Sequence, residues 1–177
     1  MSNVEKFFEN QIVSAPAVLR PAVAALNQGR LEAAFIDTSV ADWEVLAAGV
    51  PEGIEVVLLD GQQDGVLQMA EWAKSHTGYD AIHILSHGSA GSIRLGTGDL
   101  NNSAFNQYQN ELSTIGNSLT ADGDILVYGC HVANGEVGQE FIGKLAQATG
   151  ADIAASDDLT GNSADAGDWP FLVGGVS

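Results

Sequence analysis

The sequence has one cysteine, few basic residues and no long apolar run, and each shortage excludes a class of protein. The single Cys130 allows neither an internal disulfide nor a cysteine-rich zinc module. Six Lys and Arg residues stand against 23 Asp and Glu, which gives a net charge of −17. Such a field repels phosphate, so nucleic acid is not expected as a partner. Without a run of about 18 apolar residues no membrane span is expected, and residues 1–26 mix charges with apolar side chains, unlike a secretory signal.

The order of apolar stretches predicts a three-layer α/β/α sandwich with a mainly parallel sheet. The chain has 177 residues, 45% of them hydrophobic, which suits one domain with a buried core. Short continuous apolar stretches alternate with stretches of helical periodicity. The predicted strands cover residues 32–37, 54–60, 80–88, 124–130 and 151–156. The predicted helices cover residues 41–49, 64–76, 102–119 and 136–150.

The first 30 residues are predicted to be an N-terminal helical segment that precedes an α/β domain of residues 31–177. Apolar side chains recur along residues 4–29, and Gly29 offers a helix end. The apolar content of this segment argues against a free linker.

Several smaller features complete the predicted domain. Residues 92–100 are predicted to form a small hairpin, and residues 169–173 an edge strand, since a proline suits an edge. Asp64 is predicted to cap the helix that follows it. Asp37 and Asp60 each follow an apolar strand and are predicted to cap turns rather than to take part in catalysis.

Two predicted strands end in reactive side chains. One ends at His87-Gly88 and the other at Gly129-Cys130. Ligands of parallel sheets bind beyond the carboxyl ends of the strands, so neighbouring strands would bring this imidazole and this thiol together. A cysteine nucleophile needs such a pair, and the N–H groups of Gly88 and Cys130 would form an oxyanion hole. The sequence therefore predicts His87 and Cys130 as catalytic residues.

Simpler interpretations of these residues stay open. A lone cysteine often only packs in a core, and a lone histidine often only makes a structural hydrogen bond, as is predicted for His83. His87, Cys130 and His131 could together bind zinc, but their spacing is not that of a metal motif, and no cofactor is predicted. His131 itself is either a third polar group of the site or a side chain that points away. The acidic residues between 152 and 168 lack a calcium-binding pattern, which favours a solvated loop.

Several segments resemble the caspase–gingipain–legumain group of cysteine peptidases. ILSHGSAGSIRLG is similar to the caspase histidine segment, in which an apolar strand ends in Ser-His-Gly and a small hairpin follows. ILVYGCHVANG is similar to the cysteine strand of the wider group. His87 precedes Cys130 at a spacing similar to the roughly 50 residues of caspases.

More closely, residues 32–173 resemble a caspase-like domain found near the start of giant bacterial secreted adhesins and hemolysin-type, cadherin-repeat proteins. This resemblance is specific only as a set of segments. The segments are FIDTSVADWEVLAAGVPEGIEVVLLD, AIHILSHGSAGSIRLG, LVYGCHVANGEVGQEFIGKLAQATGADIAAS and the terminal GDW.

The resemblance implies a caspase-like sheet and a cysteine endopeptidase with a His87–Cys130 dyad. It also implies an oxyanion hole at Gly88 and Cys130, and a peptide or protein substrate. The long polypeptide of such an adhesin is itself a candidate substrate, so autoprocessing is one expectation. A secreted or cell-surface bacterial location follows from the resemblance alone.

The sequence departs from caspases in ways that bear on specificity. The Gln-Ala-Cys signature is absent, and no basic cluster like that of aspartate-cutting caspases is visible, with only Arg94 nearby. In related peptidases the end of the strand after the cysteine strand lines the specificity pocket. Here that position holds Ser156, Asp157 and Asp158, and the two acidic side chains would suit a basic substrate residue. The missing basic cluster keeps a second function open, a non-catalytic interaction or assembly module of a bacterial surface protein.

Overall fold

A computed structural model describes residues 13–155 of the chain. These residues form strands, helices and a short 3₁₀ turn at Ala24–Leu26. The strands are β1 Ala17–Arg20, β2 Glu32–Asp37, β3 Glu55–Leu59, β4 Tyr79–Leu85, β5 His87–Ser89, β6 Ser92–Leu95, β7 Gly98–Asn101, β8 Leu119–Tyr128 and β9 Asp152–Ala155. The helices are α1 Trp43–Gly49, α2 Gly65–Ala73, α3 Gln109–Asn117 and α4 Gly135–Thr149.

Six strands form the central sheet in the order β1-β3-β2-β4-β8-β9. Every pairing in it is parallel except that of β1 with β3. A second sheet, the small sheet, is antiparallel and has the order β5-β6-β7. The prediction of an α/β fold with a mainly parallel sheet is therefore confirmed.

The inner strands β2, β3 and β4 are buried on both faces of the central sheet, and alternate residues of each strand point to opposite faces. On one face Phe35 and Ile82 pack in a cluster that includes Met69 of α2 and Phe141 of α4. On the other face Ile36 packs in a smaller cluster with residues of α1. This two-sided burial explains why the strand sequences are continuously apolar, and it places helices on both sides of the sheet. Within residues 13–155 no helix has the length and apolar character needed to cross a membrane.

The helix predicted over residues 4–29 is wrong in its described part. Residues 17–20 instead form β1, which pairs antiparallel with β3. Pro16 and Pro21 flank this strand, and the residue before a proline is disfavoured in a helix. The Arg20 guanidinium also donates hydrogen bonds to backbone carbonyls of residues 50–54. The segment is thus tied to the main sheet rather than packed as a separate helix.

Several other elements differ from their predicted bounds. The strand predicted over residues 124–130 is β8, Leu119–Tyr128. The helix predicted over residues 102–119 begins only at Gln109. The Asn101 side chain accepts hydrogen bonds from the backbone and hydroxyl of Ser103, which stabilises a turn at the expected helix start. The strand predicted over residues 80–88 ends at Leu85, and its last residues enter the small sheet. The edge strand predicted over residues 169–173 lies outside the described residues.

The predicted hairpin and caps are confirmed. β6 and β7 form the hairpin within residues 92–100, which extends one residue further. The Asp64 carboxylate accepts from the N–H groups at the start of α2. The carboxylates of Asp37 and Asp60 accept from Ser39 N–H and Gln62 N–H, as turn caps do.

His83 is a buried core histidine, as predicted. Its Nε2 lies 3.2 Å from Glu32 Oε1 and its Nδ1 lies 3.1 Å from the Tyr128 hydroxyl oxygen. Burial raises the pKa of the Glu32 carboxyl, but hydrogen bonds from His83 and Asn27, with charge from His83 and Arg30, outweigh burial. The pKa of Glu32 is therefore held below its ordinary value of 4.5. Burial, together with the Glu32 charge, raises the pKa of Tyr128 to about 12.

Glu32→Gln is expected to lower the free energy of unfolding at neutral pH by about 1–2 kcal/mol, because it removes a charged hydrogen-bond acceptor. A lowered native pKa stabilises the fold above the unfolded pKa, and this stabilisation is lost as pH falls through the native pKa. The difference from wild type should therefore shrink below a pH of about 4.5. Urea unfolding across pH 3 to 7, with the exposed Glu52→Gln as control, measures it. A difference independent of pH would contradict this account.

Candidate active site

The predicted catalytic strands are neighbours. β4 and β8 run parallel, and Leu85 lies opposite Tyr128 in their register. His87 and Cys130 each follow these paired residues by two positions. Both residues therefore leave the sheet at its carboxyl edge, from adjacent strands. An imidazole–thiol pair requires that the two strands be adjacent. In the structure they are adjacent.

The two loops that carry these residues touch through glycines. A Cβ atom added at Gly88 would lie 3.1 Å from both the Cα and the carbonyl carbon of Gly129. The same atom would lie 2.5 Å from Cγ2 of the buried Val132. A Cβ atom added at Gly129 would lie 3.2 Å from the Gly88 Cα. The missing side chains thus allow the backbones next to His87 and Cys130 to pack directly against each other.

The small sheet presents His87 on its outer face. In its register His87 lies opposite Arg94, while Gly88 lies opposite Ile93. Ile93 is buried, whereas Arg94 and His87 are exposed. Cys130 is half-buried. The candidate base is therefore accessible to solvent, and the candidate nucleophile is partly so.

A backbone hydrogen bond fixes the small sheet to the cysteine loop. Gly91 N–H, in the turn between β5 and β6, donates to the Val132 carbonyl at 3.0 Å. The Val132 side chain is fully buried under Gly88. The loop that follows Cys130 is thus held at two points by the element that carries His87.

Asp37 anchors the other end of the small sheet. Its side chain is fully buried, and Oδ2 accepts from Gly96 N–H at 2.8 Å while Oδ1 accepts from Ser39 N–H at 2.8 Å. Gly96 forms the turn between β6 and β7 with a left-handed φ of 58°. Sequence reasoning predicted only the local turn cap. The available signal was a carboxylate at the end of a strand that is otherwise almost wholly apolar.

Asp37→Asn is expected to lower the free energy of unfolding by about 1–3 kcal/mol, because an amide replaces one buried acceptor with a donor that faces an N–H group. Asp60→Asn is the matched control, since Asp60 also caps a turn after a strand but is exposed. Asp60→Asn should change the free energy of unfolding by no more than about 0.5 kcal/mol. Urea unfolding measures both variants. Equal costs would show that the contact with Gly96 does not hold the small sheet.

His131 follows Cys130 in an unusual conformation. Its φ is 57°, in the left-handed region that non-glycine residues seldom adopt. Its Nδ1 is buried and has no hydrogen-bond partner in the described part of the chain. The residue as a whole is half-buried.

The described residues do not support the zinc interpretation. Across residues 13–155 no group of three or more His, Cys, Asp or Glu side chains is placed to hold a metal ion. His87, Cys130 and His131 are therefore not gathered as a zinc site. Ser156 and Asp157, predicted to line a substrate pocket, lie outside the described residues, as does most of the acidic stretch between 152 and 168.

The fold and the site together define an α/β protein with a histidine and a cysteine just beyond the ends of adjacent parallel strands. Residues 33–174 match DUF4347, a domain of unknown function, and the chain belongs to that family. A comparison with curated proteins found no match.

Proposed function

We propose that the protein is a caspase-like cysteine endopeptidase with a His87–Cys130 dyad. The observation that carries the proposal is the parallel pairing of β4 with β8. His87 and Cys130 follow the carboxyl ends of these two strands and so lie at the same edge of the sheet. The close contact of Gly88 with Gly129 supports it, because the backbones beside the two residues touch. The β6–β7 hairpin after the histidine strand also agrees with the expected caspase-like arrangement.

The proposed reaction is acyl transfer to the Cys130 sulfur. The thiolate attacks the carbonyl carbon of the scissile peptide bond, and the N–H groups of Gly88 and Cys130 bind the resulting oxyanion. As the tetrahedral intermediate collapses, the C–N bond breaks and His87 gives its proton to the leaving amine. A water molecule then attacks the thioester, which returns the free thiol and releases the carboxylic acid.

The proposed substrate is a peptide or protein segment, with the long polypeptide of an adhesin-type surface protein as one candidate. Asp157 would favour a basic residue just before the cleaved bond. Secretion or display at the cell surface belongs to the same proposal, because it rests on the resemblance to adhesin domains.

A second candidate function is a non-catalytic interaction module. Within residues 13–155 the exposed large apolar side chains are concentrated in and after β1, the sheet edge remote from β8. Val18, Leu19, Val23 and Leu26 are all more than 40% exposed. Exposed apolar side chains at and beside a sheet edge suit a protein contact rather than catalysis.

A positional-scanning peptide library tests the proposal and separates the two functions. Wild type should cleave a subset of the library, and alkylation of its single cysteine should stop that cleavage. A folded wild-type protein that cleaves nothing would reject the peptidase and favour the interaction module. Cleavage that survives complete alkylation would reject Cys130 as the nucleophile.

A further inference from the structure

Arg94 stands apart from the other basic residues. In the described part of the chain Arg20 binds backbone carbonyls, Arg30 pairs with Glu32, and Lys74 and Lys144 pair with glutamates one helical turn away. The Arg94 guanidinium makes no hydrogen bond or ion pair within residues 13–155, although the Arg94 backbone is part of the β5–β6–β7 sheet. A guanidinium with no acceptor at all is unexpected in a chain with a net charge of −17.

The free guanidinium of Arg94 lies close to the candidate site. Arg94 lies directly opposite His87 in the β5–β6 pairing, so both side chains are on the outer face of the small sheet. Directly opposed residues of antiparallel strands have Cβ atoms about 4.5–5.5 Å apart. Arg94 is also exposed. Among residues 13–155, the one Lys or Arg side chain without a hydrogen bond or ion pair therefore lies beside the candidate catalytic imidazole.

The acidic residue that lies opposite Arg94 forms no ion pair with it. Asp99 of β7 lies opposite Arg94 on its other side. The Asp99 carboxylate instead accepts a hydrogen bond from the Ser92 hydroxyl at 2.8 Å, and no ion pair with Arg94 forms. The guanidinium remains able to bind a carboxylate through two parallel hydrogen bonds.

We infer that Arg94 selects substrates that carry Asp or Glu on the leaving-group side of the cleaved bond. This inference rests on the proposed peptidase function. His87 protonates the leaving amine, so the substrate residues after the cleaved bond pass beside His87 and within reach of Arg94. The basic residue proposed to face Asp157 lies on the other side of the bond, so the two preferences are compatible.

Substitution of Arg94 in the full chain tests the inference by cleavage. Wild type should cleave library peptides with Asp or Glu at one leaving-side position about three- to tenfold faster than those with Lys there. Arg94→Gln should remove this preference, and Arg94→Glu should reverse it. Lys74→Gln, which removes an exposed cation far from the site, should leave the preference unchanged. A wild type that cleaves without an acidic preference, or an Arg94→Glu variant that keeps it, would overturn the inference while the peptidase stands.

Peptide binding provides a readout that does not depend on cleavage. Peptides with Asp or Asn at the same position are titrated into Cys130→Ala and into Cys130→Ala combined with Arg94→Gln. Cys130→Ala should bind the Asp peptides about three- to tenfold more tightly than the Asn peptides, and the second substitution should abolish the difference. The inference would be overturned if Cys130→Ala bound the Asp and Asn peptides equally, or if the added Arg94→Gln substitution left the difference between them unchanged. If wild type cleaves nothing while this difference persists, the peptidase fails and Arg94 stands as an acidic-peptide contact.

Discussion

Cys130→Ala is expected to lower kcat/KM for peptide cleavage by about 10⁴-fold or more, because the atom that attacks the carbonyl is removed. His87→Ala should cost nearly as much, since the leaving amine then lacks its proton donor. The two residues act on the same transition state. The double variant should therefore be no slower than Cys130→Ala alone, and far faster than the product of the single effects predicts.

The measurement is cleavage of the best library peptide by each variant at matched protein concentration. Ser89→Ala provides the control, because Ser89 is exposed on the same short strand two residues after His87. It should retain activity close to that of wild type. Unchanged cleavage by Cys130→Ala would reject the mechanism, and additive losses in the double variant would show that the two residues do not work as a pair.

Gly88→Ala is expected to destabilise the fold by about 1–3 kcal/mol. Its methyl group would lie 2.5 Å from Val132 Cγ2 and 3.1 Å from the Gly129 backbone. Relief of these contacts requires the histidine and cysteine loops to separate. A displacement of about 1 Å at the reacting groups costs on the order of 10²-fold in rate, so activity should fall more than stability suggests.

A double-mutant cycle identifies the contact responsible. Val132→Ala removes the methyl group nearest the added Cβ, so part of the stability lost in Gly88→Ala should return in the double variant. Gly143→Ala is the matched control, because beyond the adjoining backbone of its own helix no atom lies within 4 Å of its added Cβ. The alanine should instead stabilise helix α4 by up to about 1 kcal/mol. Strictly additive costs for Gly88→Ala and Val132→Ala would contradict the packing described here.

The sequence was sufficient to predict the elements whose structure follows from local patterns. The apolar strands β2 and β3, and the apolar half of β8 from residue 124, were placed because burial on both sheet faces requires continuous apolar residues. The Asp64 cap was predicted from its position before a helical repeat. The segment at residues 17–20 was misinterpreted because its antiparallel partner, β3, is distant in the chain. Helical periodicity cannot report such a pairing.

The candidate site, like the fold, could be predicted only in part from the sequence. The placement of His87 and Cys130 at one edge was predicted, because it depends only on which strands end in reactive side chains and on parallel order. The contact between Gly88 and Gly129 and the anchoring of Gly96 by Asp37 could not be predicted, since each joins residues that are remote in sequence. The unpaired state of Arg94 likewise depends on the register of three short strands.

The central claim is that the Cys130 thiol forms a covalent intermediate with a peptide substrate. Mass spectrometry of wild type, quenched in acid during cleavage of its best library peptide, tests this most directly. The account predicts an adduct on Cys130 with the mass of the amino-terminal product less one water, and no adduct in Cys130→Ala. Steady cleavage with no adduct on Cys130, or with the adduct on another residue, would contradict it.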